Sequence, residues 1–354
     1  MNELTKRYYY GLGSRNFLLA TVSGLAMFSS TGFALGSNSD SGASPVWIEL
    51  GGAFAELSSG REVYSPAFAS SSDRLPFITI GPRDVERTPT SSWDGNATIQ
   101  LNLPDSPWSI SAGVIYGRAT REKTSKQFTS AGTKYNQQHV AYQGIGSNVD
   151  ESHLLVDFKI GREVGLGLFA HEVHSGVNFG IRYAQLNFAR TAELLYQPTN
   201  NIQAYHKFSG SFQARSRFTG IGPSLSWEGS EGLTRDDRAG QIAMDWGISG
   251  ALLFGRQHLA GHRQTSDLSV PYAGGPSNYF VYQTGNNLGR RRSVVVPNAG
   301  GHLGVSWRYP NAKISFGYKA DFFFGSIDGG IDARKSETVG FYGPFAAISI
   351  GLGG

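Results

Sequence analysis

The adjacent residues His174 and Ser175 are of the types that could perform hydrolytic chemistry. An imidazole can activate a hydroxyl as a nucleophile when the two groups lie within hydrogen-bond reach. A lipid-deacylating barrel enzyme has such a pair on a strand with one residue between the histidine and the serine, so that both face the same side. Directly adjacent side chains of a strand point to opposite faces. We therefore expect no nucleophile and base to meet at this pair.

Two neighbouring aspartates, Asp236 and Asp237, could serve a ten-stranded barrel protease, which needs such residues near the outer ends of its strands. Here they lie between two arginines in a predicted short turn, which is typical of a solvated charge cluster. His171 and His174 have no third metal ligand nearby in sequence, whereas structural and catalytic zinc sites need three or four. The sequence predicts no enzyme, no metal site and no cofactor.

The composition excludes several classes of protein. Charged residues make up 16% of the 354 residues, against about 25% in typical soluble domains. There are 47 Gly, 22 Phe and 16 Tyr residues but no Cys, so disulfides and thiolate chemistry are excluded. No internal apolar run approaches the roughly 20 residues of a membrane helix. No arginine-rich arm or reading motif suggests a nucleic-acid partner.

The N-terminus has the pattern of a secretory signal peptide. Basic residues come first, an apolar stretch follows over 17–28, and Gly32 and Ala34 give a small-x-small cleavage site. We therefore expect a signal peptide over 1–34, a polar linker over 35–45 and one folded domain over 46–354. Removing 1–34 takes away three basic residues and one acidic residue, which leaves 31 − 3 = 28 basic against 27 − 1 = 26 acidic residues.

Strict alternation of apolar and polar residues dominates the rest of the chain. The clearest case runs from Trp93 to Leu103, where odd positions are apolar or Gly and even positions are polar. Alternate side chains of a strand point to opposite faces, so this strand has one apolar and one polar face. Its length matches the roughly 9–11 residues of a tilted strand that crosses a bilayer.

Similar stretches recur along the chain and predict ten strands, with twelve as the alternative if the longest connections hold extra hairpins. The predicted strands are 46–57, 93–103, 108–118, 152–161, 176–184, 211–227, 242–255, 302–308, 314–324 and 339–352. Their connections alternate between long and short, as extracellular loops and periplasmic turns do. The fold class is therefore all-β, a transmembrane antiparallel up-and-down barrel in a bacterial outer membrane, with both ends in the periplasm. Five of the six Trp residues fall near predicted periplasmic strand ends, which fits an aromatic girdle.

Four segments resemble the Legionella-type major outer membrane protein family of pore-forming proteins, in order and spacing. The segments are 156–162, 180–184, 218–223 and 250–255, within a resemblance that spans roughly 150–350. The resemblance implies an outer-membrane barrel and pore formation. Family members often cross-link their subunits through Cys; this chain has none, so a homo-oligomer would have to form without disulfides.

The alternation predicts which charged side chains point into the barrel. There are four acidic and four basic ones: Glu49, Asp157, Lys159, Arg182, Asp245, Arg308, Lys319 and Asp321. They could select ions or solutes in a narrow passive pore for small polar solutes or ions. The alternative is that they pair and fill the lumen of a structural or adhesive surface barrel, whose extracellular loops bind partners. Eight strands leave room only for side chains, so ten lie near the filled end.

Three consecutive arginines, Arg290, Arg291 and Arg292, precede a predicted strand at its outer end. Guanidinium groups match phosphate geometry, so the triplet could contact phosphates of outer-membrane lipid and lipopolysaccharide. An ordinary solvated charge run in a loop is the alternative.

Overall fold

Ten antiparallel strands form one closed barrel in which every strand pairs with its sequence neighbours and β1 pairs with β10. The computed structural model describes residues 45–59, 91–125, 140–165, 173–198, 204–234, 240–271, 280–329 and 334–352. The strands are β1 Val46–Ser59, β2 Ser91–Asn102, β3 Trp108–Ser125, β4 Val140–Glu163, β5 Val173–Pro198, β6 Ala204–Gly232, β7 Gln241–Pro271, β8 Phe280–Tyr309, β9 Ala312–Asp328 and β10 Ser336–Leu352. The all-β fold class and the count of ten are confirmed, and the twelve-strand alternative is wrong.

The predicted signal peptide over 1–34 and most of the linker lie outside the described residues. In the portion of the chain that the structure describes, no helix is long and apolar enough to cross a membrane.

An outward-facing band of large apolar side chains, called here the apolar belt, runs around the middle of the barrel. On β2, Ile99 is 51% exposed whereas its neighbour Gln100 is 5% exposed, so the alternation has the predicted direction. One member from each strand, in chain order, is Ile48, Ile99, Val114, Phe158, Ile181, Ile221, Phe254, Val295, Phe316 and Ile348. Such a band is what lipid tails require of a barrel's outer surface.

The strands differ greatly in length. β1, β2, β9 and β10 have 12–17 residues, whereas β5 to β8 have 26–31. The prediction located each strand but underestimated the long ones; the predicted segment 302–308 is the end of β8, which begins at Phe280. The added residues lie on the long-loop side of the apolar belt, where both faces can be polar and the alternation therefore disappears.

Short connections and both chain ends lie at one end of the barrel. Val46 on β1 is the register partner of Leu352 on β10, and Tyr309 pairs with Ala312 across a two-residue turn. Leu103 donates a backbone hydrogen bond of 3.0 Å to the carbonyl of Trp108 to close the β2–β3 turn. Short turns mark the periplasmic side of outer-membrane barrels. The long extensions of β4 to β8 therefore project outward from the cell.

Aromatic residues gather on the outer surface near the short-turn end. Trp108 and Trp307 are exposed there, and Trp227 packs edge-on against Trp246 at 4.7 Å. Trp47 differs, because it shares the inward-facing side of β1 with Glu49 and is 9% exposed. The girdle is thus present, but one predicted member lies inside the barrel.

Two prolines within strands, Pro223 and Pro344, could be expected to mark an edge or a bulge, because proline has no N–H for the ladder. A closed barrel has no edge, and no register shift occurs at either proline. Each proline instead lies where pairing with one neighbouring strand is interrupted for two residues and then resumes in the same register. The barrel therefore accommodates each proline as a short gap in one ladder.

Candidate functional site: the barrel lumen

All eight charged residues predicted to line the lumen lie on inward-facing positions of their strands. Their side chains are buried or nearly so, whereas the residues on either side of them face outward; Asp157 is 6% exposed and its neighbour Phe158 is 60% exposed. The largest side-chain exposure among those in ion pairs is 23%, for Asp321. The lumen is thus lined by charges of both signs, as the sequence pattern predicts.

Arg182 is the centre of the charge layer, which is defined here as the inward-facing charged residues Asp94, Asp157, Lys159, Arg182, Glu228, Lys319 and Asp321. Its Nε and Nη2 atoms donate to the two carboxylate oxygens of Asp157, each at 2.8 Å. Its Nη1 atom donates to Oδ1 of Asn298 on β8 and lies 3.9 Å from Oδ2 of Asp321. Since β5 and β8 are not neighbours, these contacts cross the lumen and occupy its middle.

Lysines complete the charge layer. The Lys159 ammonium lies 3.6 Å from Oε1 of Glu228 and 4.0 Å from Oδ2 of Asp157. The Lys319 ammonium lies 3.3 Å from Oδ2 of Asp94, on a strand across the barrel. Each cation therefore has a carboxylate partner, which offsets part of the cost of removing charges from water.

A second cluster lies nearer the short-turn end. Asp245 accepts from Lys313 at 2.7 Å and from Arg308 at 3.1 Å, and the Ser230 hydroxyl also donates to it. At the β1–β10 seam the Ser349 hydroxyl donates to Glu49 at 2.9 Å. Lys313 was missed by the sequence prediction, although it has the same parity as Ser315 on the polar side of β9.

The sequence analysis also did not include His153 among the lumen residues, although it takes part in a buried polar network. Its Nδ1 atom lies 3.0 Å from Oε1 of Glu151, and its Nε2 atom lies 3.5 Å from Oδ1 of Asp94. Its ring packs against Phe341 at 4.0 Å between centroids. The polar wall of the lumen thus continues outward on the β2–β4 side. The alternation in β2 predicts that Asp94 faces inward. It does not reveal the partners of Asp94, which lie on β4 and β9.

Directly outward of the charge layer, the lumen is filled with apolar side chains. This apolar cluster has members from eight strands and is buried almost completely, with Leu186, Phe218, Leu253 and Phe323 at 0% exposure. Its other members are Ala55, Leu57, Leu155, Ala184, Phe188, Ala251, Val296, Ile327, Val339 and Phe341. Sequence reasoning assumed a polar lumen and did not predict this cluster.

A small cavity of about 60 Å³ lies where the charge layer meets the apolar cluster. Charged residues line one side, including Lys159, Arg182 and Lys319, while Leu155 and Phe341 line the other. Space of that size with several polar partners is enough for a few water molecules. The lumen therefore has room for water between the charges and the apolar cluster.

The other residues singled out in the sequence separate. Arg290 faces inward and its Nε atom lies 3.1 Å from Oδ2 of Asp328, whereas Arg291 faces outward. Arg292 pairs with the buried Gln257 and so shares the side of Arg290. The triplet does not form one surface.

The histidine and serine that adjoin in sequence are also separated. His174 Nδ1 lies 3.1 Å from Glu163 Oε1, and Ser175 is buried on the other side of β5. Asp236 and Asp237 lie outside the described residues.

Metal ligands do not converge in this lumen. Among the residues that the structure describes, no group of three or more His, Asp or Glu side chains is arranged to hold a metal ion. The arrangement can instead hold water and small ions by charge, and it can exclude them by the apolar cluster.

Known structures share only a distant likeness with the chain. The toluene transporter TodX of P. putida is 8% identical with a TM-score of 0.28, covering 88% of this chain and 91% of that chain. The transport unit of the autotransporter AIDA-I from Escherichia coli is 8% identical with a TM-score of 0.22, covering 89% and 92%. The ferric yersiniabactin receptor FyuA of Yersinia pestis is 10% identical with a TM-score of 0.13, covering 84% and 57%. Scores this low carry no argument about function.

One family model matches the chain, whereas no curated protein does. The family is described as the Legionella pneumophila major outer membrane protein precursor, and the match covers residues 119–351, which is more than half of the chain. This stretch runs from the outer part of β3 to the end of β10 and includes most of the charge layer. The chain therefore belongs to the Legionella major outer membrane protein family, and it is a ten-stranded β-barrel of the bacterial outer membrane.

Proposed function

We propose that the barrel is a narrow, gated pore for small ions and polar solutes, and that the described conformation is its closed state. The observation that carries the proposal is that an apolar cluster directly follows a charge layer with a water-sized cavity beside it inside one lumen. Pores of this kind select by rings of charge and close by apolar constrictions that expel water. The charge layer is the selecting part and the apolar cluster is the gate.

The charge layer supports a transport role because stability alone does not call for it. A buried ion pair costs desolvation, and well-packed apolar side chains of similar volume stabilise as well or better. The part of the lumen directly outward of the charge layer is filled in that apolar way. The charge layer instead carries Asp157, Arg182, Lys159 and Glu228 with a water-sized cavity beside them. Polar groups kept at this cost are suited to passing polar cargo.

The apolar cluster supports closure at rest. Ten strands give a lumen near the size that side chains fill completely. Phe323 and Phe341 pack edge-on at 6.2 Å and close the β9–β10 side, while Phe218 and Leu186 close the opposite side. Ions would have to lose their water to pass them, so conduction requires these side chains to part.

A second candidate function is a surface barrel with a permanently plugged lumen. It is favoured by the continuity of the apolar cluster and by the long outward extensions of β4 to β8, which offer a large surface for adhesion. In this candidate the ion pairs stabilise the barrel wall and carry no solute.

Single-channel recording in planar bilayers separates the two candidates. The protein is compared with a gate variant, Phe323→Ala/Phe341→Ala, which removes two aromatic rings from the apolar cluster. A matched control, Phe316→Ala/Phe324→Ala, removes two rings from the lipid-facing side of the same region. Heat-dependent gel mobility verifies that each protein is folded before recording.

The pore proposal expects brief, salt-dependent current steps from the unaltered protein and longer openings from the gate variant, with the control unchanged. Current from the gate variant alone would support the plugged barrel, because its lumen would then open only after a part had been removed. Folded gate variant without any current would contradict the pore.

A further inference from the structure

We propose that the outward face of β6, β7 and β8, just beyond the apolar belt, binds the phosphate groups of a phosphorylated lipid in the outer leaflet. The binding surface, called here the basic rows, consists of Arg215, Arg217, Arg256, His258 and Arg291. It is independent of the lumen and of the proposed pore.

Strand pairing brings the members of the basic rows together. Arg217 is the register partner of His258, and His258 is the register partner of Arg291, so these three form one row across three strands. Arg256 lies two residues nearer the apolar belt, paired with Thr219 and Ser293. Arg215 lies two residues farther out than Arg217. Neighbouring strands are about 4.8 Å apart, so the guanidinium groups can reach a common ligand.

Side-chain hydrogen bonds already orient part of this surface. Arg217 donates from Nη2 to Gln185 Oε1 at 2.8 Å and from Nε to the Thr219 hydroxyl at 3.2 Å. Arg291 donates from Nε to Nδ1 of His258 at 3.3 Å. None of these bonds uses a carboxylate, and they leave further N–H groups of both arginines facing outward.

The position of the basic rows matches the level of lipid headgroups. The last row of the apolar belt on the same strands is Ile221, Phe254 and Val295, which are register partners and are 54%, 55% and 54% exposed. The basic rows begin with the next outward-facing residues. Two residues advance a strand by about 7 Å. Arg256 therefore lies one such step beyond this row, and Arg217 and Arg291 lie two steps beyond it, where headgroups follow the acyl-chain region.

No carboxylate balances this charge. The segments 213–219, 256–264 and 287–293 contain no Asp or Glu. Within the described residues, none of the four arginines of the basic rows has a carboxylate within ion-pair distance. Like charges a few ångströms apart repel, and an anion between them removes that repulsion. Arginine forks match phosphate oxygens in a bidentate way, which favours phosphate over a simple halide.

The continuity of the basic rows with the apolar belt favours a lipid as the source of the phosphate. A molecule whose acyl chains lie against Ile221 and Phe254 would place its headgroup phosphates beside Arg256 and Arg217. The arginine triplet of the sequence contributes only Arg291 to this surface, because Arg290 faces Asp328 in the lumen.

Calorimetric titration of the folded, detergent-solubilised protein tests the proposal. The probes are phosphorylated lipopolysaccharide, the same lipopolysaccharide after enzymatic dephosphorylation, and inorganic phosphate. The test variant is Arg217→Gln/Arg291→Gln. The matched control is Arg118→Gln/Arg162→Gln, which removes two outward-facing arginines from strands away from the basic rows.

We expect the unaltered protein and the control to bind phosphorylated lipopolysaccharide equally, and the test variant to bind at least about tenfold more weakly, which corresponds to a modest loss of charge-assisted hydrogen bonds. Dephosphorylated lipopolysaccharide should bind to the unaltered protein as weakly as phosphorylated lipopolysaccharide binds to the test variant. Equal binding of the two lipopolysaccharides, or an unaffected test variant, would overturn the proposal. Inorganic phosphate that binds as tightly as the lipid would overturn the lipid assignment.

Discussion

Arg182 on β5 and Asp157 on β4 form two parallel hydrogen bonds of 2.8 Å, and both side chains are at most 8% exposed. The same guanidinium lies 3.9 Å from Asp321 and donates to Asn298. One cation therefore balances carboxylates on both sides of the lumen, and the barrel interior depends on it.

Replacing Arg182 with Met should destabilise the barrel strongly. The variant leaves Asp157 without its bidentate partner in a buried position, and breaking a buried pair in this way costs about 3–5 kcal/mol. Urea-induced unfolding in lipid vesicles measures the loss. The double variant Asp157→Leu/Arg182→Met removes the stranded charge and should recover much of it. Equal stability of the single variant and the unaltered protein would contradict the central role of this pair.

Replacing Ile99 with Arg should impair insertion into bilayers. Ile99 faces lipid at 51% exposure in the middle of β2, and Arg at the midplane of a barrel costs about 2–4 kcal/mol. Leu103→Arg is the matched control, because it lies at the end of the same outward face, where the cost falls to about 0–1 kcal/mol. Folding yields into vesicles, read from gel mobility, should separate the two; similar yields would mean that the belt is placed wrongly.

Replacing Lys319 with Gln should shift ion preference toward cations. Lys319 lies beside the cavity, 3.3 Å from Asp94, and its replacement removes one positive charge from the charge layer. The shift should appear in reversal potentials under a salt gradient, recorded in the gate variant so that the lumen is open. Arg118→Gln, on the outer surface, removes the same charge without facing the lumen. The same shift from both substitutions would mean that Lys319 does not line the path of the ions.

Trp47 and Trp307 should report different environments although both lie near the short-turn end. Trp307 faces outward at 45% exposure, whereas Trp47 lies inside the barrel. In variants that keep one of the two and carry Phe at the other Trp positions, lipids brominated on their acyl chains should quench Trp307 fluorescence and leave Trp47 nearly unquenched. Strong quenching of both would place Trp47 on the outer surface.

The sequence predicted the strands that cross the bilayer because lipid on one side forces a strict alternation there. Residues from Trp93 to Leu103 follow it without exception, and all eight predicted lumen charges face inward. The outward extensions were missed because no lipid faces them, so a strict alternation of apolar and polar residues is not required there. The long segments 119–151 and 257–294 therefore looked like loops, although much of each is strand.

The filling of the lumen could not be predicted from one strand at a time. Leu155 has the parity of Asp157, so alternation places it on the inward face, but a single strand does not tell which side chains it meets there. Leu155 belongs to a buried cluster that includes side chains from strands distant in sequence, such as Leu57 on β1 and Phe341 on β10. Likewise, Asp94 finds His153 and Lys319 only when the barrel closes. Such partners are set by the shear of the whole barrel.

The unequal strand lengths divide the molecule into two parts that should open at different rates. Backbone amides in the apolar belt can exchange with solvent only when the closed barrel opens as a whole. Those in the outer parts of β6, β7 and β8 lie beyond the apolar belt and can exchange through local fraying. A protease added to intact cells should thus be able to trim the projecting strands and leave a shorter barrel, still closed by the pairing of β1 with β10, in the membrane.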